Sequence, residues 1–401
     1  MKLRYKASSQ TGKIIQGLMD AKDINEVVKY LRAKDLIPIQ VAPEKDASFS
    51  KLLPMLNKVK NNDVVLFTRQ LSSMLASGLT LLRSLEIFKD QVQNKAMMDV
   101  LEGVVNEVEN GKSFSMAISK YPEVFSPIYI SLIKAGEKSG LLDKVLMRLA
   151  DNMEKQQKLR STIKGALTYP VIIVVLMVVV VFVMMIFVIP QLSVLYKNLN
   201  IELPLPTQIV VGLSNFIVSF WPLFIIGIAG GLLGFRKWKK TPDGELIIDN
   251  LVLKLPVFGK LIKQTILAEF SRTFGLLVGT GTLVVEALVQ TADTANNVFY
   301  RNAIKDVAKQ VEKGVSVGDA LAYYPLFPPM LVQLVKIGEQ TGKVDETLVK
   351  ASEYFEREVD QSVRGLTAAM EPFIMVVLGV GVSFLIMSVI TPIYSLISSI
   401  Q

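Results

Sequence analysis

The 401-residue sequence contains no cysteine and no histidine. Without cysteine there is no disulfide, no thiolate metal site and no cysteine nucleophile. Without histidine the commonest general base, proton shuttle and transition-metal ligand is missing. The lack of cysteine also fits a cytosolic face. Met1 to Tyr30 is polar and mixed in charge, with no apolar stretch of the kind a cleavable signal peptide needs, so none is expected. Net charge is the one feature that hints at nucleic acid, with 44 basic against 36 acidic residues. The hint fails on distribution. Basic and acidic residues are interleaved, the block from Arg236 to Glu371 is charge-balanced, and the surplus lies before Pro170. Attraction to an inner membrane leaflet accounts for it, and no nucleic-acid partner is expected.

Against these absences stands an apolar run from Pro170 to Pro190, PVIIVVLMVVVVFVMMIFVIP, with no charge and no Gly, Ser, Thr, Asn or Gln between its prolines. At ~1.5 Å per residue, a helix of this length spans about 30 Å, the hydrocarbon thickness of a bilayer. A second run, Pro372 to Pro392, has the same length and a proline at each end. A third, at roughly 215 to 235, ends in the basic cluster Arg236, Lys237, Lys239 and Lys240. Most of the chain lacks such runs, so sizeable water-soluble parts accompany the membrane segments. The methionines of the first run read as lipid-facing or packing side chains.

Outside the apolar runs the pattern is mostly helical. Residues 1 to 42 form a small α+β unit: LRYKAS alternates as a strand, Gly12 and Gly17 mark a turn, INEVVKYLRAKDL has helical spacing and IPIQVA is a second strand. Residues 43 to 62 read as a polar linker. A first helix is expected to be capped by Asn62 or Asp63 and to carry Val64, Phe67, Leu71, Met74 and Leu75 on one face. Gly78 ends it, and a helix starts near Thr80. Further helices cover Met97 to Val108, Phe114 to Ser119 behind a Ser113 cap, Ile128 to Ala135, and Leu142 to Leu159. AGEKSG forms a turn between the last two. Short-looped helices with apolar faces make a bundle.

This bundle is written twice. One constant shift carries Phe67, Arg69, Gly78, Gly111, Ser113, Ala117, Tyr121 and Pro122 onto Phe270, Arg272, Gly281, Gly314, Ser316, Ala320, Tyr324 and Pro325. A shift one residue shorter then carries Gly136, Glu137, Gly140, Asp143, Pro170 and Pro190 onto Gly338, Glu339, Gly342, Asp345, Pro372 and Pro392. Each copy feeds its own apolar run, so both sit in one orientation and a third span must lie between them. Basic residues after residue 235 put that side inside. The outer segment from Gln191 to Ser214 carries only Lys197 and Glu202 as charges. Pro222 is expected to kink the middle span or mark its outer end, with Trp221 beside it at the interface.

The expected fold class is mostly α, an integral membrane protein with two homologous cytoplasmic helical bundles, three transmembrane helices and a small α+β N-terminal unit. Its divisions are 1–42 (N-terminal unit), 43–62 (linker), 63–169 (bundle one), 170–190 (span one), 191–214 (outer segment), 215–235 (span two), 236–371 (bundle two), 372–392 (span three) and 393–401 (outer tail). The N-terminus and both bundles are expected to be cytoplasmic, with the C-terminus outside.

The same order of parts, with LSSMLASGLTLLRSLE, GEKSGLLDKVL, GEQTGKVDETL and TAAMEPFIMVVLG, resembles the PilC/GspF family, the inner-membrane platform proteins of type IV pili and type II secretion. The likeness covers nearly the whole chain. It implies a bacterial inner-membrane scaffold without enzymatic activity. Its implied partners are a hexameric secretion ATPase below the membrane, pilin or pseudopilin subunits within it, and other assembly components. Three spans make a thin bundle, so a homo-oligomer is expected, with a dimer favoured. Pilus assembly, type II secretion and a DNA-uptake pseudopilus are not separable at this level. A transporter or channel is a remote alternative, since the apolar runs offer no internal charge for an ion path.

No catalytic, cofactor or metal cluster stands out. GEQTGKV is not a phosphate loop: only three residues separate its glycines, Val follows the lysine, and a helix precedes it. Gly140 and Gly342 are expected to be left-handed turn residues. Gly275, Gly279 and Gly281 lack the spacing of a dinucleotide fingerprint and are read as permitting close helix packing. Glu137 and Glu339, placed in matching turns, are either docking carboxylates or carboxylates satisfied locally near a helix end. Arg69 and Arg272 are expected to reach an acid within their own bundle, Glu137 and Glu339 among the candidates. Pro170 and Pro372 open the apolar runs. Glu371 stands at the inner mouth of the last run, where an ionised side chain is costly unless paired or wetted. It either meets a pilin's membrane helix or a partner's cation, or snorkels to water. Its counterpart in the first copy is Tyr169, so any role of the acid belongs to the second copy.

Overall fold

The computed structural model describes residues 2–9, 14–21, 23–34, 36–43, 58–191, 194, 205–256 and 258–400. The body of the expected linker, Gly12 and most of the expected outer segment lie outside these residues.

The first strand, β1 (Lys2–Ser9), is central in an antiparallel sheet of order β2-β1-β3, with β2 at Ile14–Asp20 and β3 at Leu36–Pro43. Helix α1 (Ile24–Ala33) is capped by Asp23, whose carboxylate accepts from the Glu26 N–H at 2.8 Å. Val27 and Leu31, one turn apart, bury against Ala7 and Ala21. The strand β2 was not expected, because Gly17 reads as a turn residue. In the sheet Gly17 pairs with Tyr5.

Six helices build the first bundle: α2 (Asn61–Ala76), α3 (Leu81–Gln91), α4 (Lys95–Glu109), α5 (Phe114–Ile118), α6 (Pro127–Ser139) and α7 (Leu142–Val183). Ser113 caps its helix as expected, and Thr80, near which a helix start is expected, caps α3; each accepts a backbone N–H with its hydroxyl. Helix α2 starts earlier than expected. Asp63 does not cap it but reaches back from its first turn to accept the Lys60 N–H at 3.0 Å. Helix α6 also runs further than expected, through AGEKS, so Gly136 and Glu137 lie in its last turn and not in a loop.

Helix α8 (Leu205–Trp238) follows, then α9 (Pro242–Lys254). The second bundle repeats the first as α10 (Phe258–Gly279), α11 (Val284–Thr294), α12 (Val298–Glu312), α13 (Val317–Ala322), α14 (Pro329–Thr341) and α15 (Val344–Ile400). The duplication extends to the backbone. Gly111 and Gly314 close α4 and α12 at φ 82° and 92°, and Gly140 and Gly342 close α6 and α14 at φ 68° and 69°. It extends to the core as well: Phe67 packs on Phe125 with centroids 6.0 Å apart, as Phe270 packs on Phe327 at 5.5 Å.

Both bundles share one continuous set of buried apolar side chains. Each bundle also passes into its apolar run without a break. Helix α7 carries Pro170 in its interior and continues through a π-helical turn at Met184–Val188, while α15 carries Pro372 and Pro392. The residues expected to form an outer tail are the end of α15. Among the described residues, two helical stretches are long and apolar enough to cross a membrane by length and composition: Leu142–Gln191, containing a stretch of mean hydropathy 3.7, and Val344–Ser383, containing one of 1.8. Side chains along the α7 run, including Val175, Leu176, Val179 and Phe187, are exposed in the isolated chain. Helix α8 begins ahead of the expected residue 215, and Pro222 lies inside it and does not mark its end.

Candidate functional site

The repeated Gly-Glu pair lies at a corner joining three helices in each bundle. At the end of α6, Gly136 is buried, and a Cβ built on it would stand 3.1 Å from the Val145 Cβ and 3.2 Å from the Leu142 Cα. Its lack of a side chain lets α6 and the start of α7 touch. In the second bundle the Gly338 Cβ would stand 2.9 Å from the Val344 Cα. Gly140 and Gly342 then reverse the chain in the left-handed region, where a Cβ is disfavoured.

Glu137 caps the short helix α5. Its carboxylate accepts the Phe114 N–H at 2.5 Å and the Ser115 N–H at 3.0 Å, while the Ser113 hydroxyl takes the Met116 N–H at 3.3 Å. Glu339 does the same for α13, accepting Val317 N–H at 2.6 Å and Gly318 N–H at 2.8 Å. A half-buried carboxylate thus satisfies helix-start donors that have no intrahelical partner, with the favourable sign of charge for that end.

Arg69 and Arg272 do stay within their own bundles, but neither pairs with Glu137 or Glu339. Those carboxylates are committed to backbone donors. Arg69 donates to both oxygens of Glu154 at 2.6 Å and to Asp151 at 2.5 Å, tying α2 to α7. The hydrogen bond from Arg69 holds the Glu154 carboxyl below the usual range, and those acids raise the Arg69 guanidinium further above it. Arg272 donates to Glu356 at 2.5 Å, tying α10 to α15. The acids escaped a reading of the sequence because they lie over eighty positions away. A signal was present, however: the repeat shift carries Asp151 and Glu154 onto Glu353 and Glu356, so both copies place acids one turn apart on the equivalent helix.

A seam runs between the bundles along α7, α10 and α15. Arg148 donates to the Gly279 carbonyl at 2.5 Å, Lys155 meets Glu353 at 3.2 Å, and Gln290 donates to the Ser131 hydroxyl at 3.2 Å. Gly279 permits this approach, and Gly275 permits close packing of α10 on α15 within the second bundle, the close helix packing expected of both. A Cβ on Gly275 would lie 3.0 Å from that of Leu348, and one on Gly279 would lie 2.7 Å from Arg148 Nη1. Gly281 serves differently, as a left-handed turn at φ 84°. A cleft of about 540 Å³ opens along the seam, bordered by Arg148, Asp151, Lys155, Arg272, Asp345 and Glu353. Among the described residues, no group of three or more Asp or Glu side chains is gathered to hold a metal.

Glu371 and Pro372 are both exposed in the middle of α15, and Pro170 is buried in α7. Among the described residues no cation pairs with Glu371. The structure therefore brings Gly136, Glu137 and Gly140 together in one corner and Gly338, Glu339 and Gly342 in its twin, with Arg69, Arg272 and Glu371 at separate places.

The model of the type II secretion system protein F family matches residues 67–190 and 270–392. Those limits run from Phe67 and Phe270 to Pro190 and Pro392, equivalent ends of the two copies. The chain is 36% identical to the type IV pilus assembly protein PilC of Thermus thermophilus, over 99% of this chain and 98% of that protein. It is 33% identical to the protein of the same name from Myxococcus xanthus, over 99% and 95%. Type II secretion system protein F of Pseudomonas aeruginosa is 28% identical over 98% of each chain. With both bundles and the helices that leave them matched in register, the chain belongs to the PilC/GspF family, that of type II secretion system protein F.

Proposed function

We propose that this protein is the non-enzymatic inner-membrane platform of a type IV pilus assembly machine. The observation that carries the reading is its likeness, over nearly the full length, to relatives named type IV pilus assembly proteins. In this reading the two bundles hang below the membrane and meet a hexameric ATPase, while the apolar helices meet pilin subunits in the bilayer. Helix α8 is a third span, supported by its 34-residue length and by the basic residues Arg236 and Lys237 in its last turn. Both bundles and the N-terminus then face the cytoplasm, the C-terminus faces outward, and the protein acts as a homo-oligomer, a dimer being favoured. The domain divisions follow the repeat, with each bundle and its span sharing one helix.

A second reading, the corresponding platform of a type II secretion or pseudopilus system, draws on relatives named type II secretion system protein F at 28–29% identity. Affinity purification of a tagged copy from gently solubilised membranes, followed by mass spectrometry, distinguishes them. A secretion ATPase recovered with a major pilin supports pilus assembly. Pseudopilins in its place move the protein to secretion, and recovery of neither above an untagged control overturns both.

A further inference from the structure

Helix α9 is amphipathic in the reverse sense. Two of its three acids face the protein: buried Asp249 accepts the Val298 N–H at 2.7 Å, and half-buried Glu245 pairs with Arg301 at 3.0 Å. Three of its large apolar side chains face away, while Ile248, Val252 and Leu253 are half-buried. Leu246, Ile247 and Leu251 are 41%, 56% and 60% exposed, and the stripe continues through exposed Leu255 and Phe258. Scattered exposed apolar residues are ordinary, but a contiguous stripe on a helix that turns two of its acids inward is not.

Position and charge identify what covers it. Helix α9 follows α8 at a fixed corner. The Thr241 hydroxyl donates to the Trp238 carbonyl at 2.6 Å and accepts from the Gly244 N–H at 3.2 Å. A Cβ on Gly244 would fall 2.1 Å from that same carbonyl, so the first turn of α9 sits directly on the end of α8. Around the corner stand exposed Arg236, Lys237, Lys239 and Lys240, with Lys254 and Lys260 at the other end and a single exposed acid, Asp243, in the first turn. Exposed Phe235 and Trp238 pack on each other at 6.1 Å beside them. Apolar stripe, flanking lysines and aromatic pair are the composition of a helix lying at a membrane surface.

We propose that α9 lies in the inner-leaflet interface, with Ile247, Leu251, Leu255 and Phe258 among the acyl chains and the flanking lysines at anionic headgroups. The second bundle is thereby held against the bilayer at two places, the end of α8 and the length of α9. This rests on the topology proposed above, in which α8 is a span ending inside.

The chain has no cysteine, so nitroxide labels can be placed singly on the full-length protein by Ile247→Cys, Leu251→Cys, Ile226→Cys in α8 and Met116→Cys on the first bundle. The protein is reconstituted in phosphatidylglycerol–phosphatidylethanolamine bilayers, and collisions with oxygen and with a water-soluble nickel chelate are measured. Labels at 247 and 251 should favour oxygen as the label at 226 does, while that at 116 favours nickel. Combining Lys237→Gln, Lys239→Gln and Lys240→Gln should restore nickel access at 251, as should phosphatidylcholine bilayers. Nickel-favoured collisions at 251 with oxygen-favoured collisions at 226 overturn the interfacial placement and leave the topology standing. Nickel-favoured collisions at 226 overturn both. Shielding of 251 from both reagents also overturns it, in favour of a covering protein surface such as a second copy. Equal shielding in both lipids overturns the part given to the lysines.

Discussion

Lys155 of the first bundle reaches Glu353 of the second at 3.2 Å, and Glu353 is the repeat equivalent of Asp151, which binds Arg69 inside the first bundle. One position of the duplicated helix thus serves as an internal clamp in one copy and as a bridge between copies in the other. Both side chains are nearly half exposed, so the bridge is worth about 0–1 kcal/mol. A double-mutant cycle of Lys155→Gln and Glu353→Gln should give a coupling in that range when read by thermal unfolding in detergent. A coupling of several kcal/mol would mean that the seam is far less hydrated than its exposure indicates.

The two arginines predict unequal costs for equivalent substitutions. Arg69 is 31% exposed and its acids more so, whereas Arg272 is 7% exposed. Arg69→Met should cost about 1 kcal/mol or less. Arg272→Met leaves Glu356 without its cation in a shielded place and should cost about 3 kcal/mol.

Acid titration offers an independent check on Arg69. In the fold, Glu154 titrates below the ordinary value of 4.5. Its contribution is therefore fully present above that value and is lost as pH falls through the lower folded value. Arg69→Met should lower stability modestly near neutrality, with the deficit shrinking as pH falls below about 4.5, so that the acid limb of the profile flattens. An unchanged acid limb would remove the clamp from the account.

Glu137→Gln and Glu339→Gln each replace a carboxylate that accepts two backbone donors. An amide presents one oxygen and turns its own N–H₂ towards the second donor. Each substitution should lower stability by about 1.5–3 kcal/mol, with the loss of helix-start protection in α5 or α13 visible by hydrogen exchange. Glu137→Asp, being too short to reach, should behave like the glutamine variant.

Gly136→Ala and Gly338→Ala should cost more than Gly140→Ala and Gly342→Ala. The first pair meets neighbouring backbone carbon at 3.2 and 2.9 Å, an overpacking worth about 1–3 kcal/mol. The second pair has open space and bears only the cost of a left-handed alanine, about 1 kcal/mol.

Glu371→Gln should impair pilus assembly while leaving membrane insertion intact, since the residue is exposed on α15 and makes no ion pair among the described residues. Normal pilus formation by this variant would end the proposed contact with a pilin helix or a partner's cation.

Local rules made the helix starts at Thr80 and Ser113 and the left-handed glycines legible, because each involves a few adjacent residues. The duplication was legible because chemistry is copied at fixed intervals. Three features were hidden for physical reasons. Gly17 looked like a turn but pairs in β2, since a strand tolerates glycine when its neighbours hold the ladder. Gly136 falls within the expected AGEKSG turn, yet its missing Cβ serves contact between helices and leaves α6 intact. The acids for Arg69 and Arg272, and the donors for Glu137 and Glu339, are distant in the chain and are chosen by packing, which no local pattern encodes.

The continuous helical passage of α7 and α15 from bundle to apolar run makes each copy a lever, with Pro170, the π-helical turn at Met184–Val188 and Pro372 as the places where it can bend. A tilt of about 5° at the base of an apolar run about 30 Å long displaces its far end by about 3 Å. In the proposed topology, a push that rocks a bundle would reach the far end of its apolar run as sideways travel, and the two copies, sharing one core, would swing together.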